Sequence, residues 1–233
     1  TVPGAPGGTK DVTVDFGGST TETLTSAFDV LTGGSGFFAE AGTGLTGVAG
    51  GSSAWGDYDG DGDLDLVVTG QDPSNNPTAT IYRNDGGSTF ADIGAGLAGV
   101  EFSSSAWGDY NGDGDLDLVV TGQDPSNNPT ATIYRNDAGV FTDIDASLAG
   151  VEFGSSAWGD YDGDGDLDLV VTGRDNSITK TATIYRNDGG GTFTDIGASL
   201  KGVTFGSSTW GDYDNDGDLD LVVTGKDPSN NPT

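Results

Sequence analysis

One stretch of about fifty residues recurs along this chain, and that recurrence restricts the fold more than any other feature. Trp55, Trp107, Trp158 and Trp210 mark it, at intervals of 52, 51 and 52 positions. Residues 61–85 and 113–137 are identical over 25 positions (DGDLDLVVTGQDPSNNPTATIYRND). A period of this length signals an array in which no unit buries its apolar face alone and neighbours stack into a continuous core. The near-identity points to recent duplication or engineering. The divergent RDNSITKT at 174–181 and a one-residue deletion near Val140 favour natural duplication.

Each unit reads as four short strands. In the first complete copy these are SSAWGDY (52–58), DLDLVVTG (63–70), ATIYRND (79–85) and TFADI (89–93). The second strand alternates, which sets Leu64, Leu66 and Val68 on one face. The segment QDPSNNPT, punctuated by Pro73 and Pro77, is turn chemistry. Forty-two glycines suit many short strands joined by tight turns and do not suit a helical bundle. The predicted fold is therefore all-β: a β-propeller-type array of four-stranded antiparallel blades. The coils of a parallel β-helix are usually much shorter than this period, which makes that fold the weaker alternative.

The ends of the array complement each other. The copy that starts at residue 206 runs only to Thr233, the equivalent of Thr78, and so contains two of its four strands. Residues 26–48 (SAFDVLTGGSGFFAEAGTGLTGV) align at an offset of 52 with 78–100 and form a degenerate version of the other two. The expected organisation is a half-blade at 26–50, units at 51–102, 103–153 and 154–205, and a half-blade at 206–233, about four blades in all. N-terminal strands that complete the C-terminal blade would remove free sheet edges. Residues 1–25 lie outside the repeat: TVPGAPGG reads as a linker, and DVTVDF, with Val12, Val14 and Phe16 on one face, as an extra strand.

Between the first two strands of every unit lies an acidic loop: DYDGDGDLD at 57–65, DYNGDGDLD at 109–117, DYDGDGDLD at 160–168 and DYDNDGDLD at 212–220. Carboxylates at positions 1, 3, 5 and 9, with Gly at 6 for the sharp bend, have the spacing of a tight calcium loop. The expected ligands are Asp57, Asp59, Asp61 and Asp65 in the first loop, with Asp63 offering its backbone carbonyl. The equivalents are Asp109, Asn111, Asp113, Asp115 and Asp117; Asp160, Asp162, Asp164, Asp166 and Asp168; and Asp212, Asp214, Asp216, Asp218 and Asp220. That gives about four Ca²⁺ per chain. An EF-hand or dockerin site would need a carboxylate at position 12 and flanking helices, but position 12 is Val68 and the flanks alternate as strands. A lone Asp/Gly loop might equally be a hairpin turn, yet four copies at fixed offsets favour metal. Asn111 keeps an oxygen and loses a charge, so the second site should be the weakest.

The frame AWGDYDGDGDLDLVVTG (54–70) followed by ATIYRNDGG (79–87), with equivalents from 106, 157 and 209, resembles the FG-GAP/VCBS repeat family of integrin-α-like propellers. The resemblance spans roughly residues 26–233. It implies an extracellular location, one calcium per loop between the first two strands of a blade, and work in adhesion or ligand binding. The family typically builds seven blades, whereas this chain supplies about four.

Composition excludes much else. His and Cys are both absent, so Ser-His and Cys-His nucleophile pairs and the usual zinc, copper and iron ligand sets are missing. Oxygen-only ligands leave calcium or magnesium. A net charge of −29 argues against a nucleic-acid partner. The loops hold 19 of the 37 acidic residues, so the acidity is both metal-binding and solvating. No apolar run approaches the roughly 18 residues of a membrane span, and membrane insertion is not expected. Positions repeated in every unit rarely make one active site, so the expectation is a non-enzyme. It is a secreted, calcium-stabilised repeat protein for structure, adhesion or assembly, with self-association by blade completion into a closed dimer or a filament, or an extracellular protein or glycan ligand. The alternative is a propeller lectin, in which Tyr82–Arg83, Tyr134–Arg135 and Tyr185–Arg186 would form sugar pockets. Against it stands the simpler reading of a packed Tyr, a surface Arg and an Asn-Asp turn.

Overall fold

Strand-forming segments of three to nine residues, most of them closed by Gly or Asp, leave no long run for a helix among the described residues. The computed structural model describes residues 31–34, 37–40, 44–86 and 89–233, and all regular structure among them is antiparallel β. A hairpin, β1 (Leu31–Gly34) with β2 (Phe37–Glu40), precedes three four-stranded sheets. These are β3 (Ala49–Gly56), β4 (Asp65–Gln71), β5 (Pro77–Asn84) and β6 (Phe90–Asp92); β7 (Glu101–Gly108), β8 (Asp117–Gln123), β9 (Pro129–Asp137) and β10 (Val140–Asp143); and β11 (Glu152–Gly159), β12 (Asp168–Arg174), β13 (Lys180–Asn187) and β14 (Phe193–Asp195). A two-stranded sheet, β15 (Ser208–Gly211) with β16 (Asp220–Val223), follows. Within each sheet the strands pair in chain order.

The alternation predicted for the second strand is present, but both of its faces are buried. From Asp65 to Gly70 every residue of β4 is buried, and β8 and β12 repeat the pattern. Leu66 and Val68 pack with Leu45 and Val48 on one side. Val67 and Ile81 pack on the other against Leu118 and Val120 of the next sheet. Val119 and Ile133 meet Leu169 and Val171 in the same way. The middle sheet, β7–β10, is thus a filling between two neighbours, and its stability depends on both. Leu64 precedes β4 and is 54% exposed, so it does not share the face of Leu66 and Val68.

One set of contacts builds each junction. Trp107 lies so close to Gly56 that a Cβ there would stand 2.7 Å from the indole, and its Nε1 donates to the Ala54 carbonyl at 3.1 Å. The ring stacks on Tyr58 at 6.2 Å and 13°, and Phe141 completes a triangle of rings, 5.6 Å from that tyrosine and 5.9 Å from Trp107. Asn136 Nδ2 donates to the Tyr58 carbonyl at 2.9 Å. The second junction repeats this with Trp158, Gly108, Ala106, Tyr110, Phe193 and Asn187. At the third, Trp210 covers Gly159, donates to Ala157 and stacks on Tyr161.

β1–β2 and β15–β16 are separate two-stranded sheets, so no described sheet joins the two ends. The β1–β2 hairpin is also one residue out of step with its parent. Asn84↔Phe90 in β5–β6 predicts Thr32↔Phe38, whereas Gly33 faces Phe38. The proposed strand DVTVDF lies outside the described residues.

Candidate metal centres in the four acidic loops

The loops curl because two of their nine positions adopt a left-handed backbone. Position 4 has φ of 71° at Gly60, 71° at Gly112, 73° at Gly163 and 62° at Asn215; position 6, always Gly, lies between 94° and 99°. Glycine takes this region without Cβ strain, and Asn is the side chain that best tolerates it, so Asn215 is a fitting substitute. The need for Gly or Asn at position 4 was visible as a recurring residue type, although only position 6 was read from the sequence.

So bent, each loop winds around its first carboxylate. Position 6 donates its N–H to position 1 in all four: Gly62 to Asp57 at 3.1 Å, Gly114 to Asp109 at 2.9 Å, Gly165 to Asp160 at 3.0 Å and Gly217 to Asp212 at 3.1 Å. Position 7 donates to the position 5 carboxylate, as Asp63 does to Asp61, Asp115 to Asp113, Asp166 to Asp164 and Asp218 to Asp216. These bonds fix the orientation of the position 1 and position 5 carboxylates.

The carboxylates come together in three loops. Oxygens of Asp57, Asp59 and Asp61, of Asp160, Asp162 and Asp168, and of Asp212, Asp214 and Asp220 lie within 4.8 Å of one another. In the second loop Asn111 Nδ2 donates to Asp113 Oδ2 at 2.9 Å, and Asn111 Oδ1 accepts from the Asp113 N–H at 2.9 Å. The asparagine there is spent within the loop. Position 7 joins none of the three clusters, and Asp115 instead accepts from the Ala138 N–H at 3.0 Å.

Position 9 serves the fold as well as the loop. Asp65, Asp117 and Asp168 are completely buried, and each accepts two backbone N–H groups. One comes from the loop tyrosine and one from the strand-end asparagine: Tyr58 and Asn84 to Asp65, Tyr110 and Asn136 to Asp117, Tyr161 and Asn187 to Asp168. Burial pushes the Asp117 carboxyl up to about 6 and raises Asp65 and Asp168 in the same direction, against the lowering effect of those hydrogen bonds. This bracing partner, the Asn of each YRND segment, is what sequence reading missed. Its signal was present in the recurrence of YRN at a fixed distance from each of the first three loops.

Oxygen donors alone, gathered this closely, suit a hard divalent cation. Asp57 Oδ1 supplies a direct test. It is buried without any hydrogen-bond partner, while its sister oxygen accepts from Gly62. A buried carboxylate oxygen with no donor is costly, and a cation at the loop centre would satisfy it. The donor set therefore fits Ca²⁺, with positions 1, 3, 5 and 9 as the side chains that would hold it.

Two tyrosines of the Tyr/Arg pairs are packed inward. Tyr134 and Tyr185 are buried, and their hydroxyls accept the N–H of Ala98 and Ala149. Arg83, Arg135 and Arg186 each pair with the aspartate two residues on, at 2.7 Å.

Comparison with known proteins agrees with the repeat. The FG-GAP-like repeat matches three times, over residues 57–120, 109–171 and 160–223, and the chain belongs to that family. No curated protein matches it. Among the described residues no helix is long and apolar enough to cross a membrane.

Proposed function

We propose that this FG-GAP-like repeat protein is an extracellular, calcium-stapled structural array rather than an enzyme, acting in adhesion or assembly. The observation that carries the reading is the buried, unpartnered Asp57 Oδ1 beside the converging carboxylates of Asp59 and Asp61. Four or five carboxylates in one small loop repel each other unless a cation sits among them. With Ca²⁺ bound, each loop is a rigid corner between the first and second strands of its sheet. It fixes the tyrosine at position 2, which the next sheet clamps. Successive sheets then stack as propeller blades, about four per chain, with the first strands β3, β7, β11 and β15 as neighbours. The family's typical occurrence in extracellular proteins, where calcium is plentiful, agrees with this.

The non-enzymatic part rests on repetition. Every acidic loop has its counterpart in the other units, so none is singled out for acid–base work. Calorimetric titration of chelated protein with Ca²⁺ tests the whole proposal. Binding at about four sites per chain is expected, and the absence of Ca²⁺ binding would overturn it. A second, glycan-binding reading has one observation in its favour: a cleft of about 330 Å³ where Arg135, Thr142 and Asp143 face Gly190 and Gly191 of the next unit. A glycan array decides it.

A further inference from the structure

The third unit departs from the others in RDNSITKT (174–181) and at Lys201, and both departures meet on one loop of the fourth unit. Lys180 Nζ donates to the Asp227 carbonyl at 2.6 Å and to Asn230 Oδ1 at 2.7 Å, and Lys201 Nζ pairs with Asp227 Oδ2 at 2.7 Å. A carbonyl oxygen, an amide oxygen and a carboxylate oxygen thus receive two ammonium groups. The loop holds its own shape beneath them. Asp227 Oδ1 accepts the N–H groups of Ser229 and Asn231 at 2.8 and 2.9 Å, its carbonyl accepts from the Asn230 N–H at 2.8 Å, and Asn230 has φ of 62°.

The second unit carries the same loop. Residues 124–130 and 227–233 both read DPSNNPT. Asp124 Oδ1 accepts from the N–H groups of Ser126 and Asn128, each at 2.8 Å, its carbonyl accepts from the Asn127 N–H at 2.9 Å, and Asn127 has φ of 63°. What differs is the unit in front. The first unit has Pro77 and Ala98 at the places of Lys180 and Lys201, and neither side chain carries a donor. On Asp124 Oδ2 the Asn128 amide sits at 3.3 Å, where Asp227 Oδ2 has the Lys201 ammonium at 2.7 Å. Asp124 is half-buried and residues 125–128 are exposed, so this copy of the cradle opens to solvent.

We propose that the loop at residues 124–128 is a lysine-binding site, filled by ammonium groups of a basic partner protein. One ammonium lies between the Asp124 carbonyl and Asn127 Oδ1, and a second takes Asp124 Oδ2 from the Asn128 amide. The loop at 227–231 identifies the ligand, because the same residues in the same backbone hold lysine there. Three oxygen acceptors gathered at one aspartate suit a compact ammonium with its rotatable donors, and such charge-assisted bonds are the strong ones. A net charge of −29 draws a basic partner in from a distance. The third unit's own loop lacks the cradle, since Ile178 stands where Asn127 and Asn230 offer their amide oxygen. The site follows β8, whereas the acidic loop at 109–117 precedes that strand, so it stands or falls apart from the calcium reading.

Titration of isotope-labelled protein with an acetylated, amidated dilysine peptide, followed through backbone amide chemical shifts, tests this. Ser126, Asn127 and Asn128 should shift and saturate. Residues 175–179, which lack the asparagine, and 227–231, which are already filled, should stay still. The same peptide with both side-chain amines acetylated should move none of them. Asn127→Gly keeps the left-handed backbone and removes Oδ1, and should weaken binding about tenfold. Pro77→Lys combined with Ala98→Lys copies the third unit's lysines into the first, fills the site from within and should abolish the shifts at 126–128. A wild-type chain without shifts at 126–128 overturns the proposal. So do shifts spread evenly over all acidic segments, or shifts that persist undiminished in either variant.

Discussion

The first and last acidic loops differ at one position of nine, Gly60 against Asn215, yet they occupy opposite environments. Tyr58 is buried and clamped by the second unit, and Asp65 is completely shielded; Tyr213 stands in solvent and Asp220 is only partly covered. The local hydrogen bonds are alike, with Gly62 on Asp57 and Gly217 on Asp212, and Tyr58 and Tyr213 each donating to position 9. Local sequence therefore determines the shape of a loop, and the neighbouring unit determines how much that shape contributes to stability. In a stacked array, energy resides in the junctions as much as in the repeats.

The largest expected effect would act on both kinds of loop at once. Removing calcium with EDTA should lower the melting temperature on the order of 20 °C, since several sites that bind only the folded chain each add stabilisation of a few kcal/mol. Circular dichroism at a fixed scan rate reads this. A melting curve indifferent to EDTA would refute the staple.

The comparison sharpens when one position is changed in both environments. Asp117→Ala leaves the N–H groups of Tyr110 and Asn136 without an acceptor in a buried site, at a cost of about 3–5 kcal/mol. Asp220→Ala removes the same loop position where water can replace it, at a cost under about 1 kcal/mol. Both variants lose the same loop carboxylate, so the difference in urea midpoint reports the neighbour. Equal midpoints would break the comparison.

Glycines beneath the indoles offer a smaller contrast. Gly108→Ala places a Cβ 2.7 Å from Trp158 and should cost about 1–3 kcal/mol through overpacking. Gly211→Ala meets nothing within 4 Å and should change monomer stability by less than about 0.5 kcal/mol. Measured in dilute solution, equal losses would mean that the Trp–Gly contact is not what holds the units together.

Much of this was legible in the sequence because it is periodic. Turn residues at fixed offsets delimit the strands, and the four-stranded sheets appear at the positions that SSAWGDY, DLDLVVTG, ATIYRND and TFADI predict. The spacing of the carboxylates was equally readable, but not which of them meet: positions 1, 3 and 5 do so in the first loop and positions 1, 3 and 9 in the third and fourth. Burial on both faces of β4 was not. Alternation places Leu66 and Val67 on opposite faces, but whether the second face meets water or another sheet depends on stacking, which no single unit encodes. For the same reason Asp65 read simply as a ligand, when it also braces the loop against Asn84 across 19 positions of chain. The hairpin at β1 and β2 slips by one residue because its degenerate sequence lacks the YRND segment that pins the others.

The smallest expected effect isolates charge from geometry within a single inner loop. Asn111 holds the Asp113 N–H through Oδ1 and the Asp113 carboxylate through Nδ2, so in this loop an amide stands where the other loops have a third-position carboxylate. Asn111→Asp removes that donor and adds a fourth carboxylate to positions 1, 3, 5 and 9. Two effects of opposite sign follow. Without metal, the added repulsion lowers stability slightly; with Ca²⁺, the extra charge is attracted to the ion, and affinity at this loop should rise about fivefold, or ~1 kcal/mol. The mirror substitution Asp59→Asn, in the otherwise identical first loop, should weaken its site by a similar factor. Calorimetric titration of the two variants beside the wild type resolves this as a spread of affinities that narrows in one variant and widens in the other. If Asn111→Asp leaves the titration unchanged, backbone geometry alone sets affinity, and the second loop is no weaker than its neighbours.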